Sequence, residues 1–439
     1  MPLSNFQSHI NTNFPFLTGK KLLVAISGGI DSVVLTHLCK NANLNIALAH
    51  CNFNLRGKES DADEAFILKL AEDLDVQVFI QNFDTHLFME TYKVSVQIAA
   101  RELRYNWFEE LAEQQPFDYI LTAHHADDNL ETVLINFIRG TGLEGLTGIP
   151  VVNEKIVRPL LAFSRETIED FAAKNKLKWR EDSSNTSDKY LRNKLRHHLV
   201  PILKDINPNI LQNFKTTLSN LNDTADIVEE STNAVLKRAI TTINKDHIAF
   251  KVSEFKKVNN PKAYLYEVFK VFGFTAWDDI LNLLDAQAGK QVFSPQYRLI
   301  KDRDHLLLSE IKPKTKLEIQ IQDREEQINT PLGTLNLTEA DTVSKKEPQS
   351  IYVDKDKIKF PLKLRKKQEG DVFYPLGMQG KKKLSKYFKD EKLSLLEKEN
   401  IWLLCSENNI VWVLNKRADN RFKVTEHTKQ ILKITLKNN

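Results

Sequence analysis

Between Lys20 and about Asn175, short runs that are almost wholly apolar alternate with longer amphipathic stretches. KKLLVAIS precedes Asp31 to Lys40, NIALAHCN precedes Ser60 to Leu74, QVFIQNF precedes Val94 to Glu113, and FDYILTA precedes Asp127 to Arg139. A strand that is apolar without alternation is buried on both faces, which happens where helices cover both sides of a parallel sheet. The pattern therefore predicts an α/β fold with a doubly wound parallel sheet, whose ligands bind beyond the carboxyl ends of the strands.

From Pro201 to about Lys312 the spacing becomes mostly helical, as in FKTTLSNLNDTADIVEESTNAVLKRAI, with few β-branched clusters. Thr338 to Ser350 is polar, contains a proline and reads as a linker; beyond it WLLCSENNIVWVLNKRADNRFKV alternates like a hairpin around Asn408-Asn409. The expected organisation is a sheet-bearing catalytic domain over 1–205, a largely helical middle domain with linker over 206–345, and a small basic α+β domain over 346–439.

Composition excludes several classes of protein. Cys39, Cys51 and Cys405 form no CxxC pair or metal-like spacing, which suits a reducing compartment and leaves no disulfide framework or zinc site. MPLSNFQSHINTNF lacks a basic region followed by an apolar one, and no stretch approaches the ~18 consecutive apolar residues of a membrane span. A soluble cytoplasmic protein is expected, with no membrane partner, so the sequon Asn185-Thr186-Ser187 has no consequence. A net charge of +4 makes no polycation of the whole, and affinity for nucleic acid must come from local patches.

The first apolar run ends in Ser27-Gly28-Gly29-Ile30-Asp31-Ser32 before a helix begins. Such a loop presents backbone N–H groups without intervening side chains, the geometry that cradles a phosphate. It is neither a Walker A loop nor GxGxxG; Gly140, Gly142 and Gly145 do spell GxGxxG, but after a helix instead of a strand, which removes them as a dinucleotide site. The competing reading of the loop is a tight turn with Asp31 or Ser32 near a helix N-cap.

A second polar group follows the fourth run: His124-His125-Ala126-Asp127-Asp128-Asn129-Leu130-Glu131. With helix beginning near Ala126, Asp128 and Glu131 share a face and His124 lies just before the first turn. Asp127 and Asp128 would suit a helix N-terminus in any protein, but Glu131 lies one turn in, where an unpaired carboxylate is costly unless it faces a cleft or a cation. His50, Asn52 and Arg56 fall at the end of the second run, where they would either close a turn or line the same edge. Arg101 and Arg104 lie one helical turn apart and are either ligand-facing or a solvated face paired with Glu109 or Glu110.

SGGIDS resembles the pyrophosphate loop of the ATP pyrophosphatases. Together with HCNFNLR, AARELRY, HHADDNLET, GTGLEGLTGI, RPLL and EDSSNTSDKYLRNKLRHHLVP, in that order, it is similar to the bacterial tRNA(Ile)-lysidine synthases, and GDVFYPLGMQGKKKLSKYFKDEKL looks like that family's terminal domain. The resemblance implies a ligase using ATP and Mg²⁺, with Ser27 to Ser32 holding the departing pyrophosphate and Asp31 assisting metal or phosphate positioning. Its partners would be free L-lysine and tRNA(Ile) with a CAU anticodon, with a homodimer among the assembly states left open. The wobble cytosine would be adenylated on its ring carbonyl oxygen, because that oxygen is otherwise a poor leaving group, and then attacked by the lysine ε-amine with release of AMP. By the same resemblance Asp128 and Glu131 divide the roles of base and lysine-recognising acid in an order the sequence leaves open, and His124 helps position the adenylate. His50, Asn52, Arg56, Arg101, Arg104, Asp127, Arg192, Asn193 and Arg196 would then contact substrate.

Two basic stretches fit an RNA partner. Lys189 to Lys204 carries Lys189, Arg192, Lys194, Arg196 and Lys204 with no acid between, and Tyr190 offers a stacking surface; the alternative is a solvated helix face. Lys363 to Lys392 holds ten Lys or Arg against four acids, a local excess of six, and includes the run Lys381, Lys382, Lys383. Thiolating relatives that adenylate a base would need paired cysteines, and glutamine-dependent synthetases an N-terminal nucleophilic cysteine; the chain has neither. A catalytically inert RNA-binding protein would have no need of the intact loop and acids.

Overall fold

The computed structural model describes residues 5–181, 188, 190–312, 318–323, 325–344 and 349–437. The sequon Asn185-Thr186-Ser187, Lys189 and part of the expected linker lie outside them. The chain divides into two compact units, Met1–Glu229 and Glu230–Asn439.

In the first unit α1 (Phe6–Asn13) precedes the expected repeat: β1 (Lys21–Ala25), α2 (Ile30–Asn41), β2 (Asn45–Asn52), α3 (Lys58–Asp73), β3 (Val78–Asn82), α4 (Thr85–Tyr92), α5 (Val96–Gln114), β4 (Tyr119–Leu121) and α6 (Ala126–Arg139). Then come α7 (Leu143–Leu146), β5 (Val152–Asn153), β6 (Ile156–Val157), α8 (Arg165–Lys174), α9 (Leu191–Lys194), α10 (Val200–Ile206) and α11 (Ile210–Ala239), whose last turns belong to the second unit. A π-helical turn, Leu195–Leu199, joins α9 to α10.

The strands lie in the order β3-β2-β1-β4-β6-β5, all parallel except β5. β1 shows why its sequence has no alternation. Leu22 and Val24 pack on one face with Val34 of α2 and Ile168 of α8, and Leu23 packs on the other with Phe108 and Leu111 of α5. Each of these side chains is essentially removed from water, which stabilises by about 1.5–3 kcal/mol apiece. The chain leaves β1 toward β2 on one side and meets β4 on the other, so the crevice of this doubly wound sheet opens between the carboxyl ends of β1 and β4.

In the second unit the middle region carries the expected helices, Pro261–Phe269 and Trp277–Leu283 among them. It also contains a five-stranded antiparallel sheet that the spacing did not reveal, ordered 240–243, 248–251, 305–310, 297–302, 291–293. Two four-stranded antiparallel sheets follow, and their inner faces share a core that includes Leu335, Leu364, Trp412 and Ile434. The strand Gly333–Ala340 runs into the stretch read as a linker. The hairpin forms from Trp402–Ser406 and Asn409–Val413 with its turn at Glu407-Asn408, one residue earlier than the pattern suggested. No described helix is long and apolar enough to cross a membrane.

Candidate active site

The amide of Ile26 is the last to join the sheet, donating to the Ala49 carbonyl at 2.9 Å. Beyond it Gly28 takes φ +86°, a conformation L side chains rarely adopt; a Cβ there would meet only ordinary contacts, so backbone shape rather than space requires glycine. Ser32 Oγ accepts from the Ser27 amide at 3.2 Å and donates to the Gly29 carbonyl at 2.9 Å, which folds the loop over the start of α2. Gly29 is the N-cap of α2 and supplies no side-chain acceptor, so neither Asp31 nor Ser32 caps the helix and its first amides remain open to an anion.

Across the crevice, α6 begins with a reciprocal cap. The His125 amide donates to Asp128 Oδ2 at 3.1 Å, and the Asp128 amide donates to His125 Nδ1 at 3.4 Å. Asp128, a candidate site acid, thus also forms part of the helix cap. One residue earlier, Asp127 accepts from the Arg165 amide at 2.8 Å and from Lys204 Nζ. Arg165 Nη1 reaches Asp31 Oδ2 at 2.6 Å, and His125 Nε2 lies 3.8 Å from Asp31 Oδ1, which brings the loop and the α6 acids into one network.

Arg196 completes it. Its Nε and Nη2 donate to Glu131 at 2.7 and 2.9 Å, and Nη2 also donates to Asp128 Oδ1 at 2.8 Å. Arg192 donates to Thr132 Oγ1 at 2.9 Å. The face that Arg192 and Arg196 share is therefore turned onto α6 instead of being a plain solvated surface. Glu131 is only 1% exposed and rests on this guanidinium.

Environment separates the acids. Burial raises Asp31 above the usual carboxylate range, His125 and Arg165 offsetting only part of it. Burial likewise raises Glu131 despite Arg196. For Asp128 burial acts in the same direction, but His125 and Arg196 outweigh it and its acidity ends up enhanced. His124, 3.0 Å from Thr122 Oγ1, is pushed down to about 4 by burial, against the pull of Asp128. Its folded value lies below its unfolded one, so the unfolded chain binds the extra proton and stability is lost as pH falls from about 6.5 toward 4. On the order of 3 kcal/mol is at stake. Urea titrations across that window are expected to show the slope, and His124→Gln to flatten it.

Of the other expected residues, His50, Asn52 and Arg56 form a group of their own. His50 Nδ1 sits 3.0 Å from the Ile26 carbonyl, Asn52 donates to Glu64 at 2.9 Å while accepting from the Asn54 amide, and Arg56 donates to Asp63 at 3.0 Å. Asp63 also accepts from Arg180, whose amide donates to the Gly28 carbonyl, so this group braces the loop from behind. Arg101 and Arg104 are exposed and lie over the rings of Tyr105 and Phe53, not against Glu109 or Glu110. Asn193 is half-buried on α9. In the second unit, Lys381 and Lys383 are exposed and Lys382 is paired with Asp390 at 2.7 Å.

Sequence reasoning missed Arg165, and it left His125 and Lys204 without roles in the site. Arg165 carried a usable signal: it is the first residue of α8 after the cap Ser164, where a cation opposes the helix dipole and must be held by something else. Asp31 Oδ1 is buried without a hydrogen-bond partner. Among the described residues no three His, Cys, Asp or Glu gather into a metal site. A single orphaned carboxylate oxygen beside a phosphate loop suits a Mg²⁺ ion that draws most of its ligands from phosphates and water.

Comparison with known proteins gives three family matches: a PP-loop domain over residues 2–203, a TilS substrate binding domain over 243–311 and a TilS substrate C-terminal domain over 362–435. A tRNA(Ile)-lysidine synthase of Bacteroides thetaiotaomicron is 39% identical over 97% of this chain and 97% of its own. Its counterpart from Parabacteroides distasonis is 41% identical over 94% of each. A U34-tRNA thiolase from Methanococcus maripaludis overlaps at a TM-score of 0.41 and 18% identity, over 49% of this chain and 78% of its own, a likeness too loose to bear on the site.

Proposed function

Because the chain belongs to the tRNA(Ile)-lysidine synthase family, we propose that the crevice between β1 and β4 is where it ligates L-lysine to the wobble cytidine of a tRNA(Ile) with a CAU anticodon, in the cytoplasm. The observation that carries this reading is the Arg196 guanidinium held jointly by Asp128 and Glu131, opposite a loop shaped for phosphate. Two carboxylates that grip one organic cation at hydrogen-bond distance suit a second one, the ε-ammonium of lysine.

ATP is the co-substrate. Ser27 to Ser32 and the open amides of α2 would take its leaving pyrophosphate, and transfer of AMP to the cytosine oxygen turns that oxygen into a leaving group. Mg²⁺, when bound at Asp31, would neutralise phosphate charge. Lysine must then lose a proton, since its amine normally titrates near ~10.4. Environments that push two acids apart divide their roles. Glu131, raised by burial, is the proton acceptor; Asp128, held ionised by His125 and Arg196, orients the ammonium. His124, neutral at pH 7, can donate to or accept from the adenylate without adding charge.

Incubating the protein with the tRNA, labelled lysine and labelled ATP is expected to yield lysine-bearing tRNA, AMP and pyrophosphate in equal amounts. AMP release without tRNA, or a product formed with sulfide in place of lysine, would overturn the assignment.

A further inference from the structure

In the second unit the tip of the hairpin formed by Tyr297–Asp302 and His305–Glu310 faces the helices Leu384–Asp390 and Leu395–Asn400 across a recess of about 530 Å³. Arg303, Lys389, Lys392 and Lys398 line it, against one acid, Asp302. Arg303 bridges the two sides by donating from Nη2 to the Lys392 carbonyl.

These cations differ from their neighbours in what they touch. Arg365 is paired with Asp371 at 2.8 Å, Lys382 with Asp390 at 2.7 Å and Arg298 with Glu399 at 2.5 Å. Among the described residues, no carboxylate pairs with any of the four that line the recess. Like charges gathered around a concavity repel one another, and the walls contributed by Leu393 and Leu395 focus their field into it. An anion with several charges removes that repulsion. The lining includes no aromatic ring on which a base could stack, so the shape and chemistry fit a run of phosphates.

We propose that this recess, more than the exposed run Lys381 to Lys383, seats the sugar-phosphate backbone of the tRNA and does so without reading bases. The inference rests on the proposed function in taking tRNA as the substrate. Removing Lys389, Lys392 and Lys398 together as Gln is expected to make the plot of log affinity against log salt shallower by about 3, near one unit for each phosphate that no longer meets a cation. The fall in affinity should be alike for every tRNA tested. All three side chains reach solvent, so the variant should fold, and its melting curve checks this. As a charge-matched control, Lys355, Lys357 and Lys359, each paired with a carboxylate, are replaced by Gln and should shift the slope by less than one. An unchanged slope in the recess variant, or an equal change in the control, would sink the proposal. Saturating tRNA should also protect Lys389 and Lys398 from acetylation; protection by inorganic pyrophosphate alone would make this a small-anion site and overturn it. Lysidine formation by the unsubstituted protein is measured alongside. Its absence would defeat the substrate reading, whereas its presence with an unaltered slope would defeat only the recess.

Discussion

Glu131→Gln is expected to slow lysidine formation by about 10²–10⁴-fold, the usual contribution of a positioned base, with the KM for lysine little changed. Asp128→Asn should instead raise the lysine KM at least as strongly as it lowers kcat, since it removes the fixed negative charge that orients the ammonium. Both substitutions preserve shape. The Asn carbonyl can still accept from the His125 amide as Asp128 Oδ2 does, so the start of α6 should survive, and tRNA retained on a filter reports that it has. Kinetics with the two effects exchanged would reverse the roles given to these acids. Loss of tRNA retention in Asp128→Asn would reduce Asp128 to its capping function.

The second large effect is on stability. Arg196→Met leaves the Glu131 carboxylate, 1% exposed, without the guanidinium that donates to both its oxygens. Stranding one member of a buried pair costs about 3–5 kcal/mol; since Arg196 is itself about a third exposed, roughly 2–4 kcal/mol is the better expectation here. The sign of its pH dependence follows from the direction of Glu131. Burial already lifts this acid above its unfolded value, and without Arg196 it rises further, so the folded state takes up the proton and the loss shrinks as pH falls from 7 toward 5. Urea unfolding of the variant at both pH values tests this. A double variant, Arg196→Met with Glu131→Gln, should recover part of the loss at pH 7, because the Glu131 charge is then gone while Asp128, which also loses Arg196, keeps the rest of the penalty. No recovery would mean that Arg196 stabilises by packing and not through Glu131.

The parallel sheet was legible because β1, β2 and β4 are buried largely on both faces and carry that fact in mostly apolar runs, while β3, half-buried at the sheet edge, keeps a shorter one. The loop and the α6 acids were legible because each lies within a few residues of a strand end, where local order of residue types is enough. What remained hidden depends on distance along the chain. Arg196 meets Glu131 across 65 positions and Lys204 meets Asp127 across 77, so their charges read as a basic patch until the fold brought them onto α6. The five-stranded sheet of the second unit was obscured for another reason. Its longer strands, YRLIKD and HLLLSE, rely on leucine and charged residues more than on β-branched ones, and the helical periodicity around them dominates any local window.

The π turn between α9 and α10 carries a lesson for anyone re-engineering the molecule. A π turn amounts to one residue inserted into an α-helix, so excising a single residue from Leu195–Leu199 should anneal the two helices into one continuous rod. Everything downstream would then rotate by roughly 100° about the axis. Lys204 would swing away from Asp127 while Arg192 stayed in place, uncoupling the two ends of the segment that clasps the acids. Arg196 apart, length more than identity is the property to hold constant in that stretch.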